Sequence, residues 1–223
     1  MFRVTEVVKH LLIINVLMYL GSMLLGDPSH GTSIDLVNER LTDFSLWGRY
    51  RLAMFFPTSD YFRPFQIVTH MFMHADIGHL FFNMFAVFMF GPPLEDVWGP
   101  KRFLFYYLLT GFGSVLLHTL VRGVEIYWFG ESVFAANVPS LGASGAVFGL
   151  LVGYGMLFPD NRIMLLFPPI PLKAKYFVLI YAGVELFMGL GNLNTGVAHY
   201  AHLGGALFGF LLILYWRKFG SRL

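Results

Sequence analysis

Apolar stretches recur along this chain at lengths that approach a bilayer crossing, and that recurrence constrains the fold more than any motif does. A water-soluble domain has no use for so much apolar surface: 57% of the 223 residues are hydrophobic, 13% are charged, and the mean hydropathy is +0.64. The chain reads as a polytopic, all-α membrane protein with one membrane-embedded domain over residues 1–223. Six spans are expected, at about 11–25, 77–90, 103–121, 144–158, 176–190 and 197–216. The first also has the layout of a secretory signal peptide, but no small-x-small cleavage site follows it and further spans do, so it reads as a retained helix. Gly91-Pro92-Pro93 is expected to end the second span, and a polar turn from Glu95 to Arg102 to lead into the third. Several spans fall short of the roughly 20 residues of a full crossing, so flanking loop residues extend them or the bilayer thins.

The connection between the first two spans, residues 26–73, is long and aromatic. In it Phe44, Trp47, Tyr50, Phe55, Phe56, Tyr61, Phe62 and Phe65 are interleaved with Arg49, Arg51 and Arg63, a composition that suits the membrane interface. A net charge of +2, carried by basic residues scattered at the ends of apolar runs, gives nucleic acid nothing to bind. Cysteine is absent, which removes disulfides, thiolate metal sites and cysteine nucleophiles. With the N-terminus inside, the inner segments carry Arg3, Lys9, Lys101, Arg102, Arg162, Lys173, Lys175, Arg217, Lys218 and Arg222. The outer ones carry Arg40, Arg49, Arg51, Arg63 and Arg122. By the excess of positive charge both termini are expected in the cytoplasm, with the protein in the plasma (inner) membrane.

Chemistry gathers around Ser144. Pro139 and Gly142 suit a sharp turn out of a loop, and the apolar run that follows places the serine at a helix start. Gly145, Gly149 and Gly153 then recur every four residues and leave one helix face bare. Near the C-terminus His202, Gly205 and Gly209 fall at i, i+3 and i+7. Two bare faces pressed together bring a hydroxyl to an imidazole, and an imidazole that takes the hydroxyl proton makes serine a nucleophile. The topology supports the meeting, because spans two, four and six all begin on the outer side. Ser144 starts span four, and His202 lies five residues into span six, roughly 8 Å along it at 1.5 Å per residue. His79 and Asn83, four residues apart in the first turns of span two, reach the same layer and carry donors of the kind an oxyanion needs. No Asp or Glu stands in that layer on these three spans, so a Ser-His dyad is the economical reading. His199 shares the face of His202 and either tunes access to the site or lines its mouth, whereas His70 and His74 read as structural residues at the interface. Glu185, an acid in span five, reads as a structural partner for a neighbouring span.

The sequence resembles the rhomboid intramembrane serine proteases across nearly its whole length. The resemblance is carried by Gly142-Ala143-Ser144-Gly145, by His79-Leu80-Phe81-Phe82-Asn83, and by Ala201-His202-Leu203-Gly204-Gly205 followed by Gly209, in order and on the expected spans. It implies a six-helix bundle with Ser144 as nucleophile, His202 as base, and His79 and Asn83 with nearby backbone amides as the oxyanion site. It further implies membrane-spanning protein substrates cut near the outer face, with no cofactor and no metal. Two positions depart from the family pattern. Phe65-Gln66 stands where many members carry a Trp-Arg pair, and Phe148, four residues after the serine, replaces a tyrosine that stacks on the imidazole in some members. Two other readings stay open. One is a catalytically inactive relative that binds membrane proteins, and the other a transporter or metal site built on His79, His199 and His202.

Overall fold

The structure is a computed structural model that describes residues 3–24, 48–131, 133–164, 169–191 and 198–220. Arg40, Phe44 and Trp47 of the first connection, the side chain of Arg49, residues 192–197 before the last helix and Arg222 lie outside the described residues.

Helices dominate. They are α1 (Glu6–Leu24), α2 (Gly48–Arg51), α3 (Gln66–Thr69), α4 (Ile77–Trp98), α5 (Pro100–Tyr127), α6 (Ser144–Leu157), α7 (Ala174–Leu190) and α8 (His199–Phe219). Four of them, α1, α4, α5 and α8, are long and apolar enough to cross a membrane, and α6 is apolar but shorter. At 1.5 Å per residue the 14 residues of α6 span about 21 Å, less than a bilayer's hydrocarbon core. One departure from an all-helical chain is a small antiparallel hairpin between α6 and α7, β1 (Arg162–Met164) with β2 (Pro171–Lys173). It has no periodic signal in the sequence, because three-residue strands are too short to show one. Just before β1, Asp160 accepts hydrogen bonds from Lys173 and Lys175, whose ammonium groups hold its carboxyl down to about 2.

The double proline does not end the second span. Instead α4 runs through Pro92 and Pro93 to Trp98. Each proline gives up one backbone donor, yet its fixed φ is helical, and the turn beyond them is held by burial of Leu94 and Trp98 and by Glu95. Glu95 is buried and caps the start of α1: Val7 N donates to its Oε1, and both Val8 N and the Thr5 hydroxyl donate to its Oε2. Gly91 permits this approach, since a methyl group there would stand 2.6 Å from Val8 Cγ2. The chain turns at Gly99, whose φ of 77° is left-handed, and Pro100 follows as the first residue of α5.

Two compact units make up the chain. The first, Met1–His10, Phe85–His118 and Ser144–Leu223, holds α6, α7 and α8. Here α8 packs most extensively on α6, and α7 packs on both. Phe148 and Val152 of α6 and Ala206 of α8 form the buried seam, with Met156 and Val178 against it. At the far end Arg217 donates to the Met156 carbonyl, satisfying an acceptor in the last turn of α6. The bare faces meet differently from the sequence expectation. Gly145 and Gly149 point their missing side chains at Ser114 and Thr110 of α5, whereas Gly205 looks onto the α6 backbone at Gly145, and Gly209 onto the Tyr106 hydroxyl and Gly149. Tyr106 of α5 fastens the same region by donating to the Gly149 carbonyl at 2.7 Å.

The second unit, Leu11–Met84 and Thr119–Ala143, contains the described part of the first connection. Phe55 is its buried centre, with Tyr50, Tyr61 and Phe62 packed on it. Gln66 is almost fully buried: its Oε1 accepts from Arg63 N, and its Nε2 donates to the carbonyls of Arg51 and Tyr61. A neutral amide therefore anchors this segment through backbone groups.

Since a methyl at residue 205 would overlap the Gly145 carbonyl, Gly205→Ala is expected to cost at least about 1–3 kcal/mol, the range for an overpacked core. Reversible unfolding in mixed micelles measures that loss, with Gly21→Ala, which meets nothing within 4 Å, as the comparison.

Candidate active site

Ser144 is the first residue of α6. Two residues earlier Gly142 has a φ of 131°, a conformation a side chain resists, and its N–H donates to the His70 carbonyl at 2.9 Å. Met54 and Ser140 exchange backbone hydrogen bonds of 2.8 Å each way, so the loop that leads to the serine is held on the segment after α2. No sequence pattern announced that pairing, since an isolated bridge has no period. The first-turn amides of α6 point back along the helix axis, and the partial positive charge of a helix start favours an anion there.

His202 lies in the first turn of α8, and its Nε2 is 2.9 Å from Ser144 Oγ. Phe148, one turn after Ser144, lies flat on the imidazole with ring centroids 4.3 Å apart and planes 10° from parallel. Tyr181 of α7 packs on Phe148 at 4.9 Å, which completes a layer of three rings. The ring orientation is thus set by packing across α6, α7 and α8. The stack removes freedom from the imidazole without any hydroxyl on Phe148.

Glu185, one turn beyond Tyr181, is 5% exposed. Its Oε2 lies 2.7 Å from Nδ1 of His199 and 3.1 Å from Nδ1 of His202. The second contact is within ion-pair range but off the direction of the ring N–H, so it is not a well-formed hydrogen bond. A partner for Glu185 on a neighbouring helix is expected from the sequence, whereas its place beside the His202 imidazole is not. Two histidines at i and i+3 opposite a lone acid are the signal that points to this contact.

His79 and Asn83 belong to the second unit, on the first turns of α4. Asp76 caps that helix by accepting from His79 N at 2.8 Å. Ala75 N donates to His79 Nδ1 at 3.4 Å, an arrangement that suits the neutral ring with its proton on Nε2. Asn83 is buried, and its Nδ2 donates to the His79 carbonyl at 3.0 Å. The His79 ring meets His74 edge-on at 5.0 Å.

His70 and His74, expected with their polar tips in water, are instead buried, at 3% and 1% exposure. His70 Nδ1 contacts the Gln66 carbonyl at 2.9 Å, a local partner that makes burial tolerable. Burial holds the His70 imidazole down to about 4, and burial together with the nearby His79 ring holds His74 down to about 3.

A half-buried serine in contact with an imidazole, within a chain of bilayer-length helices, places this candidate site in a multi-pass membrane protein. Comparison with known proteins narrows that class. Residues 61–219 match the Rhomboid domain family, and the chain belongs to it. It is 34% identical over 148 residues to Rhomboid protein 1, mitochondrial, of Saccharomyces cerevisiae, covering 66% of this chain and 40% of that one. It is 26% identical over 216 residues to Rhomboid protease AarA of Providencia stuartii, covering 91% and 69%. Putative rhomboid protease YdcA of Bacillus subtilis is 31% identical over 147 residues, covering 66% and 64%. The chain spans about 40% of the length of the yeast relative, whose further segments have no counterpart in that match.

Two outcomes are expected. Phe148→Ala removes the ring under His202 and should slow fluorophosphonate labelling of Ser144 by about tenfold to 100-fold, whereas Phe148→Tyr should hold within a few-fold. For His70 and His74 the unfolded chain takes up protons near pH 6.5 and the folded one near pH 4 and below, so stability is complete above pH 6.5 and falls as pH drops toward 4. The His70 share of that loss is of order 3 kcal/mol. Hydrogen exchange of amides 52–75 between pH 7.5 and 4.5, corrected for intrinsic rates, measures it, and His70→Asn should flatten the slope.

Proposed function

We propose that this chain is an intramembrane serine endopeptidase that cuts transmembrane segments of membrane proteins near the outer membrane face. The observation that carries the reading is the 2.9 Å contact between Ser144 Oγ and His202 Nε2, within a chain of the rhomboid family. The names of two relatives, Rhomboid protease AarA and Putative rhomboid protease YdcA, point the same way.

In the proposed reaction Ser144 Oγ attacks the scissile carbonyl carbon while its proton passes to His202 Nε2. The carbonyl oxygen becomes an oxyanion. The amides at the start of α6, Nε2–H of His79 and the Asn83 amide are the proposed donors to it. Collapse breaks the C–N bond, and the imidazolium delivers its proton to the departing amine. A water, activated by the same imidazole, then attacks the acyl ester and frees Ser144. The reaction asks for no cofactor and no metal. The domain is proposed to act as one membrane-embedded unit of six crossings over residues 1–223, with residues 26–73 at the interface. Both termini are placed in the cytoplasm and the site at the outer side of the plasma (inner) membrane, from the distribution of Lys and Arg. Its partners are transmembrane substrates and the lipid bilayer.

Cleavage of a single-span model substrate in proteoliposomes tests this. Wild type should cut it and take a fluorophosphonate label, while Ser144→Ala and His202→Ala should do neither and keep the wild-type melting temperature within a few degrees. Asn83→Ala should lose about 10²-fold to 10³-fold, the scale of one oxyanion donor. Cutting by Ser144→Ala at the wild-type rate, or loss of wild-type activity to a chelator, would overturn the reading.

A further inference from the structure

Of the two ring nitrogens of His202 only Nε2 faces the serine, so its usefulness as a base depends on where its single proton sits. With the proton on Nε2, the ring has no lone pair for the Ser144 hydroxyl. With it on Nδ1, Nε2 is the base. A buried Nδ1–H needs an acceptor, and Nδ1 of His202 has no hydrogen bond to anything else in the described residues. The atom in reach is Glu185 Oε2, at 3.1 Å. A carboxylate so placed repels a bare Nδ1 lone pair and attracts Nδ1–H, so it selects the tautomer in which Nε2 accepts.

We propose that Glu185 is a positioning residue for the Ser144–His202 pair: held in place by His199, it selects the His202 tautomer in which Nε2 takes the Ser144 proton. The proposal rests on the protease reading above and deepens it. Both histidines reach the same oxygen, His199 by the shorter contact of 2.7 Å. That contact anchors the carboxylate and offsets part of the cost of burying a charge in the bundle. The groups facing the carboxylate are His199 and His202 from α8 and Tyr181 one turn earlier on α7. Proton traffic is the same as in the dyad. The Ser144 proton moves to Nε2, the Nδ1 proton stays on the ring, and Glu185 gains an adjacent imidazolium without itself being protonated. The off-line approach at Nδ1 belongs to the resting enzyme. As positive charge develops on the ring, a small swing of the carboxylate about its terminal torsion brings it into line.

This explains why α7, which carries neither the nucleophile nor the base, bears a buried acid at this height. It also gives His199 a task in which it contacts no reacting atom.

The test joins kinetics with a tautomer measurement. In proteoliposomes Glu185→Gln should lower kcat by about 10²-fold to 10⁴-fold with KM within threefold. It should also move the acid limb of the kcat profile to lower pH, because the imidazolium loses its counter-charge. Glu185→Asp, which restores the charge, should recover part of kcat and the wild-type limb. Independently, ¹⁵N spectra of histidine-labelled Ser144→Ala protein at pH 8 should show His202 protonated on Nδ1, and this reading needs no change at Glu185. Glu185→Gln cutting within threefold of wild type with an unmoved limb, or an Nε2-protonated His202, would reduce Glu185 to a link between α7 and α8. If wild type itself neither cuts nor takes the fluorophosphonate label, the protease reading fails, while the spectra still decide which tautomer Glu185 selects.

Discussion

The close seating of α8 on α6 is the constraint from which the site follows. Gly205 lies against the Gly145 carbonyl, and Gly209 against the Tyr106 hydroxyl and Gly149 Cα, so the two helix backbones approach closely. In lipid no hydrophobic force drives helices together, and close packing of backbone surfaces is what remains to hold such a pair. One turn along from Gly205, that separation lets Nε2 of His202 reach the first residue of α6. Any side chain at residue 205 would widen the seam, and a widening of an ångström is enough to disconnect an imidazole from a hydroxyl.

The remaining parts of the first unit serve that seam from outside. Ser114 and Thr110 of α5 fill the room that Gly145 and Gly149 leave on α6, and the Tyr106 hydroxyl reaches both the Gly149 carbonyl and Gly209 of α8. On the third side α7 brings Tyr181 onto Phe148 and Glu185 onto the two histidines. Residues 144 and 148 on α6, 181 and 185 on α7, and 199 and 202 on α8 are each one helical turn apart, so every helix offers two groups on one face. The imidazole is thereby fixed by a flat ring on one side and by a hydroxyl and a carboxylate at its two nitrogens. The second unit shows a different economy. Its irregular segment around Phe55 is tied by backbone hydrogen bonds, by the amide of Gln66 and by a buried, neutral His70, which is how a chain without regular structure keeps its polar groups satisfied.

Much of this was legible in the sequence, and the parts that were not have identifiable causes. Ser144 and His202 stood out because each stands in the first turn of a glycine-marked apolar helix. The row of Gly145, Gly149 and Gly153 was legible as a bare face, but its orientation was not, since a bare face accepts α5 as readily as α8. Pro92 and Pro93 pointed to a helix end, and the helix continues because Glu95, Leu94 and Trp98 find buried partners beyond them. His70 and His74 looked like interfacial residues because nothing in their spacing tells that the segment folds over them.

What the sequence determined by itself is the apolar, helical character of the runs, the turn at Gly142, and the residue types that head each helix, because these depend on local conformation and on transfer between water and lipid. Tertiary structure alone decided the neighbours: that Glu185 reaches two imidazoles, that Phe148 lies flat on one of them, and that Gln66 gathers three backbone groups. Contacts of this kind join residues far apart in the chain, and they are set by how helices rotate and seat on one another, a choice among near-equal packings that no local pattern encodes.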